Sequence, residues 1–149
     1  MRKFIMMWSI LAVLAAICLS YAAERPAEWT KVRNEYVAEG HNFCEICGSK
    51  KDIEVHHVKP WAKWPDLRYD KSNLITLCRS KYWGFDCHWA VGHGGNTRWE
   101  NPWVRDDVKY LKDLISKDKN AITDGRSDEY LKYIRARVKE FNIIGNRGL

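Results

Sequence analysis

The sequence predicts a small α+β domain built around two short strands and a following helix, with further helices on either side. Residues 53–58 alternate between apolar and polar side chains and are rich in β-branched residues, which is typical of a strand. Residues 74–77 form a second short apolar run, and a helix-forming segment follows at 87–91. This ββα unit lies within residues 44–93, which contain four of the five cysteines and four of the five histidines.

Helices are predicted before and after the ββα unit. Apolar residues share one face of residues 27–39, and Gly40 supplies a stop signal at the end of that segment. A second apolar face recurs along residues 104–115, and Ser127 is placed to cap a further helix after a polar linker. A helical extension is therefore expected at 104–149.

The first 22 residues have the pattern of a segment that exports or anchors the chain. A basic start precedes an apolar run, 4–19, in which Ser9 is the only polar residue. The tripeptide at 20–22 fits a signal-peptidase site, so residues 1–22 could be a cleaved signal. An uncleaved run of 20 residues, 4–23, would instead be just long enough to span a bilayer. Both alternatives predict a protein that is exported, to the periplasm or beyond, or attached to a membrane.

Length and charge limit the classes of function without selecting one. A chain of 149 residues has room for one small domain after a terminal segment, and so small a core would gain from a metal that cross-links it. The net charge is +6, or +4 without Arg2 and Lys3, which permits a polyanionic partner and does not demand one. Eight tryptophans suit either a compact core or stacking against nucleotide bases.

Four cysteines form two pairs that suit a structural zinc ion. Cys44 and Cys47 have the spacing of a zinc knuckle, in which a tight turn directs two thiolates at one point. Cys78 and Cys87 supply a second pair, separated by eight residues that must fold back. Disulfides are the alternative, because an exported protein meets an oxidising compartment, and a bridge between Cys78 and Cys87 is sterically reasonable. We expect zinc, since a histidine directly follows Cys87.

Two adjacent histidines end the first predicted strand. Neighbouring residues on a strand point to opposite faces, so His56 and His57 are not expected to do the same job. A division of labour follows, in which one imidazole binds a metal and the other transfers a proton. The motifs CEIC, VHHVKP, NLITLC and CH, in this order, resemble the HNH endonucleases, whose ββα-metal (His-Me finger) motif is shared by the nuclease colicins.

The resemblance implies a role for each matching residue. His57 falls on the position of the general base, which takes a proton from the attacking water. His56 and His88 fall on positions that bind a single divalent metal ion, which could be Mg²⁺, Mn²⁺, Ni²⁺ or Zn²⁺. Asn73 falls on the central position, where its amide can hold the surrounding loop and help to orient the base. The resemblance covers roughly Trp29 to Trp103, and a nuclease domain is expected at 27–103.

His93 is a further candidate ligand whose placement the sequence leaves open. It lies five residues after His88, which corresponds to about 140° around an ideal α-helix and points the two side chains apart. Gly92 could break the helix and let His93 turn towards the metal. The alternative is a contact between His93 and water or phosphate.

Basic residues around the predicted metal site suit contacts with phosphate groups. The candidates are Lys59, Lys63, Arg68 and Arg98. Nothing in the sequence encodes readout of a particular base sequence. The expected partner is therefore nucleic acid, and specifically double-stranded DNA cut with low sequence specificity. The alternative function is a zinc-stabilised module that binds nucleic acid without cutting it.

Overall fold

The computed structural model describes residues 26–80, 85–122 and 124–145, and within these ranges it is a mixed fold of helices and a two-stranded sheet. Helix α1 and strands β1 and β2 come first, and two longer helices follow a short helical turn. The elements are α1 (Ala27–Ala38), β1 (Ile53–His57), β2 (Leu74–Cys78), α2 (Val104–Lys117) and α3 (Arg126–Gly145). The expected α+β arrangement is therefore present in the described ranges.

The two strands form an antiparallel pair whose register places the adjacent histidines at the end where the connecting segment, 58–73, joins the strands. His56 pairs with Ile75 and His57 pairs with Leu74. All of β2 is buried, which suits its run of apolar and β-branched side chains. The strands begin where the sequence predicts, but β1 ends one residue earlier and β2 one residue later than expected.

The short helix predicted after β2 is a π-helical turn, His88–Gly92, rather than an α-helix. Its start is capped by Asp86, whose Oδ1 accepts a hydrogen bond of 2.7 Å from the backbone N–H of Trp89. A π-turn adds one residue to each hydrogen-bonded ring, so residues five apart come closer to the same side than in an α-helix. The turn therefore changes which side chains share its inner face.

Helix α1 packs on the sheet through a small apolar cluster. Trp29 and Tyr36 are buried there with Val55 of β1 and Leu74 of β2. The Tyr36 hydroxyl donates a hydrogen bond of 3.1 Å to the carbonyl of Leu74. The helix ends close to the predicted residue, and Gly40 follows with a φ of 107°, which glycine adopts without strain. These contacts place α1 beside the strand end that carries the histidines.

Helices α2 and α3 complete the main core together with the ββα unit. A Cβ atom at Gly94 would lie 2.6 Å from Cγ1 of Val138, so only glycine lets α3 approach this closely. Helix α3 begins at Arg126, and the predicted capping residue Ser127 is buried. The main core contains Ile75, Leu77, Val91, Val104, Leu111, Ile134 and Val138.

A buried carboxylate links α2 and α3 to the π-turn. Asp107 accepts hydrogen bonds of 2.6 and 2.7 Å from Arg137 and one of 2.9 Å from the Tyr130 hydroxyl. The amide of Asn101 donates to Asp107 at 2.8 Å and to the carbonyl of Val91 at 2.7 Å. With this many partners, the buried charge is compensated, and removing one partner would be costly. The C-terminal helices thereby support the turn that carries the histidines.

In the part of the chain that the structure describes, no helix is long and apolar enough to cross a membrane. The predicted signal or anchor at 1–22, and the possible membrane span at 4–23, lie outside the described residues.

Candidate active site and metal centres

The four cysteines of the two predicted pairs come together in one cluster. Their sulfur atoms all lie within 4.8 Å of one another, and Sγ of Cys47 is 3.6 Å from Sγ of Cys78. The first pair sits on a tight turn in which the N–H of Gly48 donates to the carbonyl of Cys44 at 2.8 Å. Cys44, Cys78 and Cys87 are buried and Cys47 is half-buried, so the cluster is closed to solvent on most sides.

The cysteine cluster has the donor set and spacing of a tetrahedral metal site. Zinc–sulfur bonds of about 2.3 Å place tetrahedral sulfurs about 3.8 Å apart, close to the observed separation. All four thiols are free, so the alternative disulfide between Cys78 and Cys87 is not formed. Hydrogen bonds from Cys44 and Cys78 hold the pKa of Cys47 below its usual range, whereas the contact with Cys44 raises the pKa of Cys87. A cation would offset the negative charge that the four sulfurs share.

Three histidines of the ββα unit form a second cluster. The ring nitrogens of His56, His88 and His93 lie within 4.8 Å of one another, and Nδ1 of His56 is 3.2 Å from Nε2 of His88. His93 belongs to this cluster because the π-turn brings it back towards His88. The sequence left this placement open, because an ideal α-helix separates the two side chains.

Two of the three imidazoles are oriented by partners outside the cluster. Nδ1 of His93 donates a hydrogen bond of 2.9 Å to the carbonyl of Trp99, which leaves Nε2 as the ligand nitrogen. Nδ1 of His88 lies 3.3 Å from a carboxylate oxygen of Glu54. Burial lowers the pKa of His56 and of His88, and the neighbouring His93 lowers both further. Neutral imidazoles are the form that binds a metal, so the donor set fits a divalent cation.

Gly92 lies directly against the histidine cluster. A Cβ atom at this position would be 3.3 Å from Cε1 and 3.4 Å from Nδ1 of His56. The second of these atoms is the nitrogen that lies 3.2 Å from Nε2 of His88. Glycine therefore permits the close approach of the π-turn to β1 that brings the three rings together.

His57 lies beside the histidine cluster and is held in one tautomer. Its Nε2 is 2.9 Å from the carbonyl oxygen of Arg68. A carbonyl only accepts, so in the neutral ring Nε2 carries the hydrogen and Nδ1 is the basic nitrogen. The ring also contacts two indoles, with Trp29 at a centroid distance of 4.4 Å and Trp61 at 5.4 Å. These contacts fix the orientation of the His57 ring and its tautomer, with Nδ1 as the basic nitrogen.

Asn73 holds the loop that supplies this carbonyl. Its Oδ1 accepts a hydrogen bond of 2.8 Å from the N–H of Lys59, and its Nδ2 donates to the carbonyls of Lys59 and Leu67, each at 3.1 Å. Leu67 directly precedes Arg68, whose carbonyl binds His57. Asn73 is buried, and its bonds hold the loop whose Arg68 carbonyl contacts His57.

His57 and the three clustered histidines line one cleft of about 800 Å³. Among the predicted phosphate-binding residues, Lys63 and Arg98 also line it. Lys63 is paired with Glu100 at 2.8 Å, so its charge is largely offset. The other two candidates lie outside the lining, since Lys59 sits over the ring of Trp64 and Arg68 over the ring of Trp61.

The cleft has a wall that sequence reasoning missed. Trp29, Thr30 and Arg33 of α1 line it together with the histidines. Positions 29 and 33 are one helical turn apart, so the sequence does place them on one face. The helical spacing therefore indicated that these two residues lie on one side of α1. It did not indicate that this side packs beside the histidines.

Residues 44–94 match the family described as HNH endonuclease. The match and the clustered cysteines confirm the resemblance to HNH endonucleases over this part of the chain. Domains of this class are generally found in nucleases and act on nucleic acids. Among curated proteins and solved structures, none matches the chain.

Proposed function

We propose that the chain is a metal-dependent endonuclease that hydrolyses phosphodiester bonds in DNA. The observation that carries this proposal is that one cleft contains both a histidine with a defined basic nitrogen and a cluster of potential metal ligands. His57, with its basic nitrogen defined by the Arg68 carbonyl, lines the same cleft as the three clustered histidines. A general base beside a metal-binding cluster is the arrangement needed to direct water at a phosphodiester.

The proposed base acts through Nδ1 of His57. This nitrogen takes a proton from the water that attacks the scissile phosphorus, and the charge that forms on the ring is stabilised by the Nε2–H bond to Arg68. Asn73 keeps that carbonyl in place by holding both ends of the loop at Lys59 and Leu67. The expected products carry a 5′-phosphate and a 3′-hydroxyl.

His56, His88 and His93 are the proposed ligands of a single catalytic ion. A divalent cation bound there would polarise the phosphate and stabilise the departing 3′ oxygen. The three nitrogens supply no negative charge, and Glu54 contributes a carboxylate behind His88 at 3.3 Å. Mg²⁺, Mn²⁺, Ni²⁺ and Zn²⁺ are the candidate ions.

The cysteine cluster is the proposed site of a structural zinc ion. Support comes from four free thiols whose sulfurs share one centre inside the main core. The proposed partner is double-stranded DNA, held by non-specific phosphate contacts from Arg98 and Arg33 at the cleft. Export or membrane attachment through the N-terminal segment is part of the proposal and is supported by the pattern of residues 1–22 alone.

Cleavage of a supercoiled plasmid by the wild type and by His57→Ala tests the proposal, with each of the four metals in turn. The wild type should convert the plasmid to nicked circles with at least one metal. His57→Ala should lower the rate by about 10²–10⁴-fold, because general-base catalysis contributes that much. Equal rates for the two proteins under all four metals would contradict the assignment.

A matched histidine control separates this result from a contaminating nuclease. His41 is stacked on Tyr36 at a centroid distance of 4.0 Å and does not line the cleft. His41→Ala, purified in the same way, should therefore cleave like the wild type. If all three proteins bind DNA in a salt-sensitive manner and none cleaves, the chain is a binding module and the enzyme proposal fails.

A further inference from the structure

Trp29 lies against the proposed general base although it is outside the segment that matches the HNH family. It belongs to α1, and only 3% of its surface is exposed. Its ring centroid is 4.4 Å from that of His57, and the two planes are inclined by 36°. This is a face contact between an indole and an imidazole, at the short end of aromatic pair distances.

A second indole and a hydrogen bond limit the remaining freedom of the same imidazole. Trp61 meets His57 edge-on at 5.4 Å and meets Trp29 at 5.7 Å with an interplanar angle of 77°. The Arg68 carbonyl holds the Nε2 side of the ring at 2.9 Å. The Arg68 guanidinium lies over the Trp61 ring and donates a hydrogen bond of 2.9 Å from Nε to the Trp61 carbonyl. The two residues that contact His57 on this side, Trp61 and Arg68, are therefore also bonded to each other.

Of these restraints, the face contact is the one that α1 supplies. A hydrogen bond by itself lets a ring tilt about the bond axis, whereas a flat surface against the ring resists tilting. Trp29 both packs in the small core with Tyr36 and lines the cleft beside His57. Core packing alone would not require a side chain that reaches the cleft.

We propose that Trp29 is a positioning residue for His57, holding the imidazole so that Nδ1 faces the cleft. The inference rests on the proposed role of His57 as base. Its geometric part can be measured without any cleavage. Helix α1 then becomes part of the active site, and the residues needed for catalysis extend beyond the HNH match at 44–94.

Kinetic comparison of Trp29→Leu with Trp29→Phe provides the first measurement. The leucine variant should lose about 10²-fold in kcat with little change in KM, because a small misplacement of a catalytic group costs this much. The phenylalanine variant keeps a flat face and should recover most of kcat. Trp29→Met replaces the leucine variant if the latter does not fold.

Tyr36→Leu is the matched control for general damage to α1. Tyr36 is on the same helix, is 4% exposed and packs in the same small core as Trp29. It should lower the melting temperature as much as Trp29→Leu does, while its kcat stays close to that of the wild type. If the two leucine variants lose kcat equally, Trp29 is only a packing residue and the inference is overturned.

The tautomer of His57 provides a readout that does not depend on activity. Nitrogen NMR of the full-length zinc-loaded chain should show the hydrogen on Nε2 in the wild type and in Trp29→Phe. In Trp29→Leu the signals should indicate a mixture of tautomers. An unchanged tautomer and unchanged ring mobility in Trp29→Leu would overturn the inference even if the wild type cleaves DNA. If the wild type does not cleave, the proposed function fails and the NMR result still decides whether Trp29 positions the ring.

Discussion

The cysteine cluster and the histidine cluster are two groups of metal-binding side chains built on the same ββα unit, yet they are constructed differently. The first gathers Cys44 and Cys78 inside the main core, with sulfurs that contact one another. The second places its rings along an open cleft, and it takes its orienting bonds from Glu54 and the Trp99 carbonyl. Adjacent residues, Cys87 and His88, belong to different clusters.

This difference predicts a structural role for a metal at the cysteines and a catalytic role for a metal at the histidines. Around the cysteines, a metal would take the place of core packing, so its loss would remove part of the fold. Around the histidines, outside hydrogen bonds hold the rings, so the fold should survive without the metal. A closed tetrahedral donor set is typical of structural sites, whereas a three-residue set on a cleft leaves positions for substrate.

The largest effect is expected from breaking the closed cluster. Cys44→Ser should abolish cooperative unfolding and zinc retention, because binding of a structural zinc accounts for about 10–16 kcal/mol in small zinc domains. His88→Ala should keep one tightly bound zinc and change the melting temperature only slightly. Calorimetry and metal analysis of both variants make the comparison. If His88→Ala unfolds the protein as completely as Cys44→Ser, the two clusters do not differ in the way proposed.

Chelator and reductant separate zinc from disulfides at the same cluster. A strong chelator should lower the melting temperature of the wild type, since the four thiols are free to bind a metal. A reducing agent alone should leave it unchanged. The opposite pattern would indicate disulfides.

The next largest effect is a loss of activity, expected when the loop that holds the proposed base His57 is disturbed. Asn73→Ala should lower kcat by about 10–100-fold, as is usual when a residue that orients a catalytic group is removed. Asn73→Asp is the matched variant, because it keeps the bond from the Lys59 N–H and loses the donors to the Lys59 and Leu67 carbonyls. It should be impaired as well, since its carboxylate would face two acceptors. Full activity of Asn73→Asp would mean that the loop does not depend on those donors.

A smaller effect is expected from crowding the open cluster. Gly92→Ala places a methyl group 3.3 Å from Cε1 of His56, and relieving such contacts costs about 1–3 kcal/mol. We expect weaker binding of the catalytic metal, measured by titration calorimetry, with unchanged zinc at the cysteines. Gly125→Ala is the control, because a Cβ there meets nothing within 4 Å. Its positive φ should reduce stability alone, so equal loss of metal affinity in both variants would contradict the steric explanation.

The smallest effect concerns the charges at the mouth of the cleft. In a His57→Ala background, Arg98→Gln should reduce the salt dependence of DNA binding by about 0.9 in the slope of log K against log salt, the value for one phosphate contact. Lys63→Gln should change the slope less, because Glu100 lies 2.8 Å from the Lys63 ammonium. Equal changes would show that this ion pair opens when DNA binds.

Much of the fold and of the candidate site could be predicted because it depends on local pattern. Alternation over 53–58 placed β1 to within a residue, and the spacing of Cys44 and Cys47 predicted a turn that brings their sulfurs together. The adjacent pair at 56 and 57 indicated separate roles, and the two rings do have different partners. These features depend on hydrogen bonds between residues close in sequence and on the pattern of apolar side chains along each element.

What only the tertiary structure decided is where separate elements meet. The π-turn, supported by the Asn101 bond to Val91, brings His93 into the histidine cluster. The packing of α1 against the sheet brings Trp29 to His57 and Arg33 to the cleft. Lys59 and Arg68 instead lie over aromatic rings. The sequence determined which chemical groups are available and the order in which they come. Their final partners depend on burial and packing between residues far apart in the chain, which no local pattern encodes.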